Sequence, residues 1–354
     1  MAEREGFEPS IRFCRILTFQ ASAFDHSATA PHCSGRARPN AGGRLSQAVS
    51  TWQSADMRLI PPSVSAVAVV AASLSLASAS MAAPVTPASV LAEAPAAAWI
   101  APAPEDLLVM DLAGGKRVVI ALAPSFAPVH VGNIKALARA HWYDGLWIER
   151  VQDNYVVQWG DPTEKKPLPE GVAADPPAEY ERSAAGLVVA PHPYRDTFAP
   201  ATGFVAGWPV AEEDGQAWLT HCYGMVGVGR NNAPSTGSGA ELYAIIGHAP
   251  RQLDRNIALV GRVLTGIEGM TALPRGGEAM GFYKTEAERL PIVSARLASD
   301  LPEADRPRVR VLDTASPAFA AWVKIRANRK DDFYIRPAGA IDLCSVMPPV
   351  KEGD

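Results

Sequence analysis

From Leu107 onward, short apolar runs alternate with glycine, proline and polar breaks, and few of the runs are long enough for a helix. Leu107 to Leu112 alternates loosely and stops at Gly114-Gly115, after which Arg117 to Leu122 resumes a β-rich run, so the pair predicts a hairpin. Val131, Ile134, Leu137 and Ala138 then fall at helical spacing within Val129 to Ala140, with Pro128 suited to a first turn. Leu146 to Asp161 reads as two short strands across a polar turn at Gln152-Asp153-Asn154.

Beyond Asp161 the pattern weakens. Pro162 to Pro177 is rich in Pro, Lys and Glu and has no period, which predicts loop; Ala184 to Trp218 has scattered aromatics and one added hairpin near Thr202 to Val210. Strand-like runs return at Tyr223 to Val228, Leu242 to Ile246 and Ile257 to Val263, with a long turn over Arg230 to Gly239. A short helix is expected at Ile267 to Leu273 and a closing strand at Ile292 to Leu297. Many short strands and few helices predict a mainly β protein, a closed or nearly closed β-barrel with capping helices. The last part, 298–354, holds one helical stretch near Ala318 to Asn328 and a final apolar run, Ala338 to Val346. It is too small to stand as an independent domain.

The chain has 354 residues, but its beginning is not expected to belong to the fold. Residues 1–56 show no recurring apolar face, and Gly6-Phe7-Glu8-Pro9 is a string that the complement of a transfer-RNA T-arm can encode. That stretch reads either as an over-extended reading frame or as a disordered leader. Residues 57–82 have the form of a cleaved secretory signal: a short basic head at Met57-Arg58-Leu59, an apolar run from Val64 to Leu76, and small residues at Ala77-Ser78-Ala79 and Ser80-Met81-Ala82. The run is too short to span a bilayer comfortably, so no stable membrane insertion is expected after cleavage. The mature product would be periplasmic or secreted and would begin with an Ala/Pro-rich linker over 83–105. Export leaves Cys222 and Cys344 in the body, either as one disulfide or as two separate buried thiols. The net charge of -4 has both signs interspersed and no basic stripe, so nucleic acid is not an expected partner.

Candidate chemistry concentrates in the second hairpin. Arg150 closes its first strand and Gln158 lies on its second, beside Tyr155 and Val156. A fixed cation at the edge of a small apolar cup suits a greasy ligand that carries an amide to be polarised; the plainer alternative is a surface Arg at a strand end. Other constellations are weaker. Gly237-Ser238-Gly239 lacks nucleophile-elbow spacing, and His130, His141, His192, His221 and His248 show no metal-ligand spacing, so they read as solvated or core residues.

The order of these elements, with these residues in it, resembles the cyclophilin-type peptidyl-prolyl isomerases over about Leu107 to Leu297, interrupted by an insertion at about 162–221. The family's Phe-His-Arg, aromatic-aliphatic pair and Gln-x-Gly-Asp are approximated by Ile148-Glu149-Arg150, Tyr155-Val156 and Gln158-Trp159-Gly160-Asp161. Fainter echoes are Val228-Gly229-Arg230 with Glu241-Leu242-Tyr243, and Gln252-Leu253-Asp254 with Ile257. Gln252 stands where the family has its pocket Trp, Ile257 where it has its pocket His, and Glu241 where it has a Gln.

The resemblance implies a cyclophilin-like barrel over 106–297, followed by the extension 298–354. It implies catalytic roles for Arg150 and Gln158, and a substrate-binding set of Tyr155, Val156, Arg230, Glu241, Tyr243 and Leu253 acting on proline-containing polypeptides. No cofactor or metal is required. Glu241 is open between a partner of Arg150 that weakens its pull and a solvated rim residue, and Arg230 between a peptide-binding group and an exposed turn. The implied function is a prolyl isomerase assisting the folding of exported proteins; the alternative, given the rebuilt pocket wall, is a prolyl-peptide-binding module with feeble turnover.

Overall fold

A computed structural model describes residues 85–353, so the readings of 1–56 and 57–82 lie outside the described residues. Among the described residues sixteen strands appear in chain order: β1 (Trp99–Ile100), β2 (Leu107–Leu112), β3 (Lys116–Leu122), β4 (Trp147–Val151), β5 (Val156–Gly160), β6 (Arg182–Ser183), β7 (Ala190–Pro191), β8 (Ala201–Val205), β9 (Trp208–Glu213), β10 (Gln216–Leu219), β11 (Met225–Val228), β12 (Leu242–Ile245), β13 (Leu259–Thr265), β14 (Leu290–Leu297), β15 (Val309–Leu312) and β16 (Val350–Glu352). The α-helices are α1 (Pro87–Ala92), α2 (Pro128–Arg139), α3 (Ile267–Thr271) and α4 (Pro317–Ala327).

Eight strands close a barrel in the order β11-β12-β5-β4-β14-β2-β3-β13, and β11 pairs antiparallel with β13 to seal it. Closure removes the exposed sheet edges that short β-strands would otherwise present. Leu108, Met110 and Leu112 of β2 point inward with Ile120, Ile148, Val157, Trp159, Val226 and Leu242. Helix α2 packs Val131, Ile134, Leu137 and Ala138 into the same core. Pro128 takes its first turn, but Ala127 offers no cap; instead Glu179 reaches across from the insertion and accepts from Val129 N at 2.9 Å and His130 N at 3.0 Å. The mainly β, closed-barrel expectation holds, including both hairpins and the position of α2.

The other face of β2 and β3 explains why their alternation was loose. Leu107, Val109, Val119 and Ala121 are buried too, against Val309, Ala298, Leu301 and Val350 of the C-terminal segment. A strand covered on both sides has no polar face to show.

The insertion is more structured than its sequence indicated. It folds as a five-stranded sheet, β6-β10-β9-β8-β7, of which the hairpin β8–β9 is the expected part. The segment 83–105, expected as a linker, carries α1 and β1, and Trp99 pairs with Leu312 in the three-stranded sheet β1-β15-β16. Trp99, Phe204 of the insertion, and Phe319, Trp322, Leu343 and Val346 of the tail form one apolar cluster. Cys222 and Cys344 form a disulfide that ties the end of the insertion to the tail.

Candidate active site

The site is built on the β4–β5 hairpin. Its register runs Ile148↔Trp159 and then Arg150↔Gln158, so Glu149 is the extra residue of a β-bulge. A bulge re-aims the side chains that follow it. Here it sets Arg150 opposite Gln158 while Ile148 stays in the barrel core.

Arg150 is 4% exposed, and its guanidinium is held on three sides. Nε donates to Met280 O at 2.7 Å, one terminal nitrogen donates to Gln158 Oε1 at 3.0 Å, and the other donates to Gln152 Oε1. The rings of Tyr155 and Phe282 flank it, with their centroids 5.7 and 5.3 Å from its central carbon. Burial pulls its pKa down, while Tyr155, Glu149 and Tyr243 oppose the change. A guanidinium stays charged under such pressure, and its fork has five N–H donors, so one on each terminal nitrogen is left for a ligand.

Gln158 is held in turn. Its Nε2 donates to Glu149 Oε1 at 3.3 Å while its Oε1 receives Arg150. Cation and amide are therefore locked together, as the sequence pairing anticipated.

Tyr155, Val156 and Tyr243 gather in a single apolar cluster on the outside of the barrel, with Leu253 packed against it. The cluster is shared with Phe126, Met225 and Leu259, and also with Val210 and Leu219 of the insertion. Tyr155 is 8% exposed, Val156 2% and Tyr243 6%. The expected apolar seat is thus assembled but largely roofed by neighbouring side chains. Ile257 packs at its edge, and Gln252, in the position of the family's Trp, is exposed.

Two members of the expected substrate-binding set lie elsewhere. The Arg230 guanidinium donates to Asn256 O at 3.1 and 3.0 Å and to Asn231 O at 2.8 Å, and it lies over the Tyr180 ring. Glu241 is neither a rim residue nor a partner of Arg150. Its carboxyl turns inward, with Oε1 accepting from Asp161 N at 2.7 Å and Oε2 buried. A Cβ on Gly160 would sit 2.1 Å from Glu241 Oε1, so glycine at 160 makes room for this inward turn.

Three features escaped the sequence reading. Phe282 walls Arg150 from a loop that approaches β4 through an Arg150↔Phe282 bridge, and Met280 anchors the guanidinium through its carbonyl. His221, at the end of the insertion, is fully buried; Asp254 Oδ1 meets its backbone N at 2.9 Å and its Nδ1 at 2.8 Å. Arg251 holds Asp254 at 2.6 Å and Asp196 at 2.9 Å, completing a buried ionic chain. The only prior signal was the Asp254 of the Gln-Leu-Asp triplet; His221 lies 33 positions from it, and Asp196 lies 55 positions from Arg251.

The family model described as "Cyclophilin type peptidyl-prolyl cis-trans isomerase/CLD" matches residues 107–296. Among solved structures, a cyclophilin of Hirschia baltica, AquaCyp293, is similar at 25% identity and a TM-score of 0.57, over 72% of this chain and 93% of that one. A cyclophilin-type isomerase of Cryptosporidium parvum, crystallised in the presence of the dipeptide Ala-Pro, matches at 12% identity and a TM-score of 0.35, over 54% of this chain and 98% of its own. No curated protein matches.

Proposed function

The chain belongs to the cyclophilin-type peptidyl-prolyl cis-trans isomerases, and from that premise we propose that Arg150, positioned by Gln158, performs the catalysis on X–Pro bonds of exported proteins. Rotation about such a bond is slow because amide resonance raises a barrier of roughly 18–20 kcal/mol. In the twisted transition state the prolyl nitrogen turns pyramidal and recovers a lone pair. A guanidinium N–H aimed at that nitrogen stabilises the twisted form more than either planar form, which is the differential binding that lowers a barrier.

The observation that carries this reading is the three-point anchoring of Arg150 between Tyr155 and Phe282. A donor fixed in advance loses little orientational freedom when the reaction needs it. Tyr155, Val156, Tyr243 and Leu253 supply the apolar surface for the proline ring. The periplasmic or secreted location is supported by the disulfide, since such bonds persist in oxidising compartments.

A second reading is favoured by one observation: Val156 and Tyr243 are nearly covered. A seat roofed by its own neighbours suits a module that grips prolyl segments and turns them over feebly. A protease-coupled prolyl assay on the full chain separates the two. Activity that falls about 10²–10³-fold in Arg150→Ala supports catalysis by this residue. Unchanged activity in the variant removes Arg150 from the role, and peptide binding by calorimetry without turnover supports the module.

A further inference from the structure

Behind Gln158 the bulge brings two carboxyl groups together. Glu149, 3% exposed, accepts the Gln158 amide through Oε1, and Glu241 accepts Asp161 N through its own Oε1. The remaining oxygens, Glu149 Oε2 and Glu241 Oε2, are both buried and neither has a hydrogen-bond partner among the described residues. Glu149 lies on β4 and Glu241 immediately before β12, the two strands that flank β5, and the charge of Glu149 raises the pKa of Glu241. Two ionised carboxylates in contact, away from water, repel strongly, whereas one proton between the orphaned oxygens satisfies both.

We infer that Glu149 and Glu241 share one proton, Oε2 to Oε2, and that this acid pair is a positioning device that fixes Gln158 and, through it, Arg150. The inference rests on the catalytic reading of Arg150 for its second half only.

The amide of Gln158 is the reason the pair matters. With a carboxyl oxygen at its Nε2 and a guanidinium at its Oε1, the amide has one favourable orientation; flipped, it would set donor against donor and acceptor against acceptor. Burial raises both carboxyl pKa values, Glu241 well above the ordinary range, and the charge of Glu149 adds to the effect on Glu241.

The surrounding groups are consistent with one shared negative charge. Arg150 on β4 and Arg289 ahead of β14 are the nearby cations, and Arg289 favours ionised Glu149. Asp161 at the end of β5 disfavours it. Burial raises the Asp161 pKa, but the N–H of Lys166 and the Thr163 hydroxyl more than offset this, so Asp161 stays charged. Tyr143, following α2, is held protonated by burial and by Glu241, and its hydroxyl donates to Gly239 O at 2.6 Å. Tyr155 and Tyr243 face Arg150, and burial raises both phenols. Loss of the shared proton would leave two negative charges on the pair, push the carboxylates apart and release Gln158.

Two measurements on the full chain test this. In infrared spectra at neutral pH, the wild type should show the carbonyl stretch of a protonated carboxyl that Glu241→Gln lacks, because the variant's amide takes the place of the shared proton. Next, kcat/KM of the wild type should fall about tenfold per pH unit on its alkaline side. Glu241→Gln should flatten that limb whatever its absolute rate, and Glu149→Gln should do the same. Absence of the protonated-carboxyl band from the wild type, or its persistence in both single variants, overturns the shared proton. An alkaline limb unchanged in both variants overturns the positioning role. Because the infrared band does not require turnover, it decides the proton question even if the chain proves to be a binding module.

Discussion

The hydroxyl of Tyr243, on barrel strand β12, lies 3.1 Å from Nε2 of His221, which the insertion carries into the outer face of the barrel. The partners dictate the tautomer. Asp254, held by Arg251, accepts from Nδ1–H, so Nε2 is the acceptor and the tyrosine hydroxyl donates to it. Burial keeps the imidazole neutral by pulling its pKa down and keeps the phenol protonated by pushing its pKa well up. The apolar cluster beside Arg150 is therefore pinned by a residue from outside the barrel.

Tyr243→Phe should leave His221 Nε2 buried without its donor. A loss of about 1–3 kcal/mol is expected from the unsatisfied nitrogen. Denaturant unfolding reads it as a lowered midpoint, and an unshifted midpoint would show that the bond contributes nothing to folding.

Acid should unfold the protein through its histidines before its carboxylates. His221 and His192 both have folded-state pKa values lowered from the ordinary 6.5, burial being the main cause in each. The unfolded chain therefore binds more protons than the native one just below that value, so stability rises with pH there. The contribution is complete above about pH 6.5 and is lost as pH falls toward the folded-state values. Thermal midpoints measured between neutral and mildly acidic pH should decline, and the decline should be shallower in His221→Gln. Parallel curves for the two proteins would contradict this account.

Gly227 lies beneath the same tyrosine: a Cβ there would come 2.3 Å from Tyr243 Oη. Gly227→Ala must therefore displace the ring and break its bond to His221. Overpacking of this kind costs about 1–3 kcal/mol. The near-ultraviolet circular dichroism of the tyrosines should change with it; a native spectrum and a native midpoint would mean that the ring yields without strain.

Reduction of Cys222–Cys344 should lower stability more than its surface area suggests. The bridge spans 122 positions of chain, and releasing so long a loop is worth about 4–5 kcal/mol in the chain-entropy view. Thermal unfolding with and without a thiol reductant measures the shift, which the Cys222→Ser, Cys344→Ser double variant should reproduce. Equal midpoints in both redox states would refute it.

The barrel was legible because its signals are local. Strict turns such as Gly114-Gly115 and Gln152-Asp153-Asn154 separate runs that pair with their nearest neighbours in sequence, and Arg150 with Gln158 follows directly from one hairpin. The insertion sheet was only partly legible: β6 and β7 are two residues each, too short for any period to register. Its hairpin β8–β9, with longer strands, was visible. Trp99 sat in a composition typical of linkers, and its burial depends on Leu312, far along the chain. The inward turn of Glu241 depends on the absence of a side chain at Gly160, which no pattern of hydrophobicity encodes. His221 and Phe282 reach the site only because tertiary packing brings distant segments against β12 and β4.

The cover over β2 and β3 has a consequence for biosynthesis. Val109 and Val119 can pair as soon as they leave the ribosome, but Val309 and Val350, which shelter their outer side, are made much later. During that interval the nascent hairpin presents a sticky flank, the kind of surface that holding chaperones recognise and that aggregates when left alone. A translation product cut short just after Leu297 would keep that flank bare and should be cleared or precipitate, even though every strand of the barrel is present.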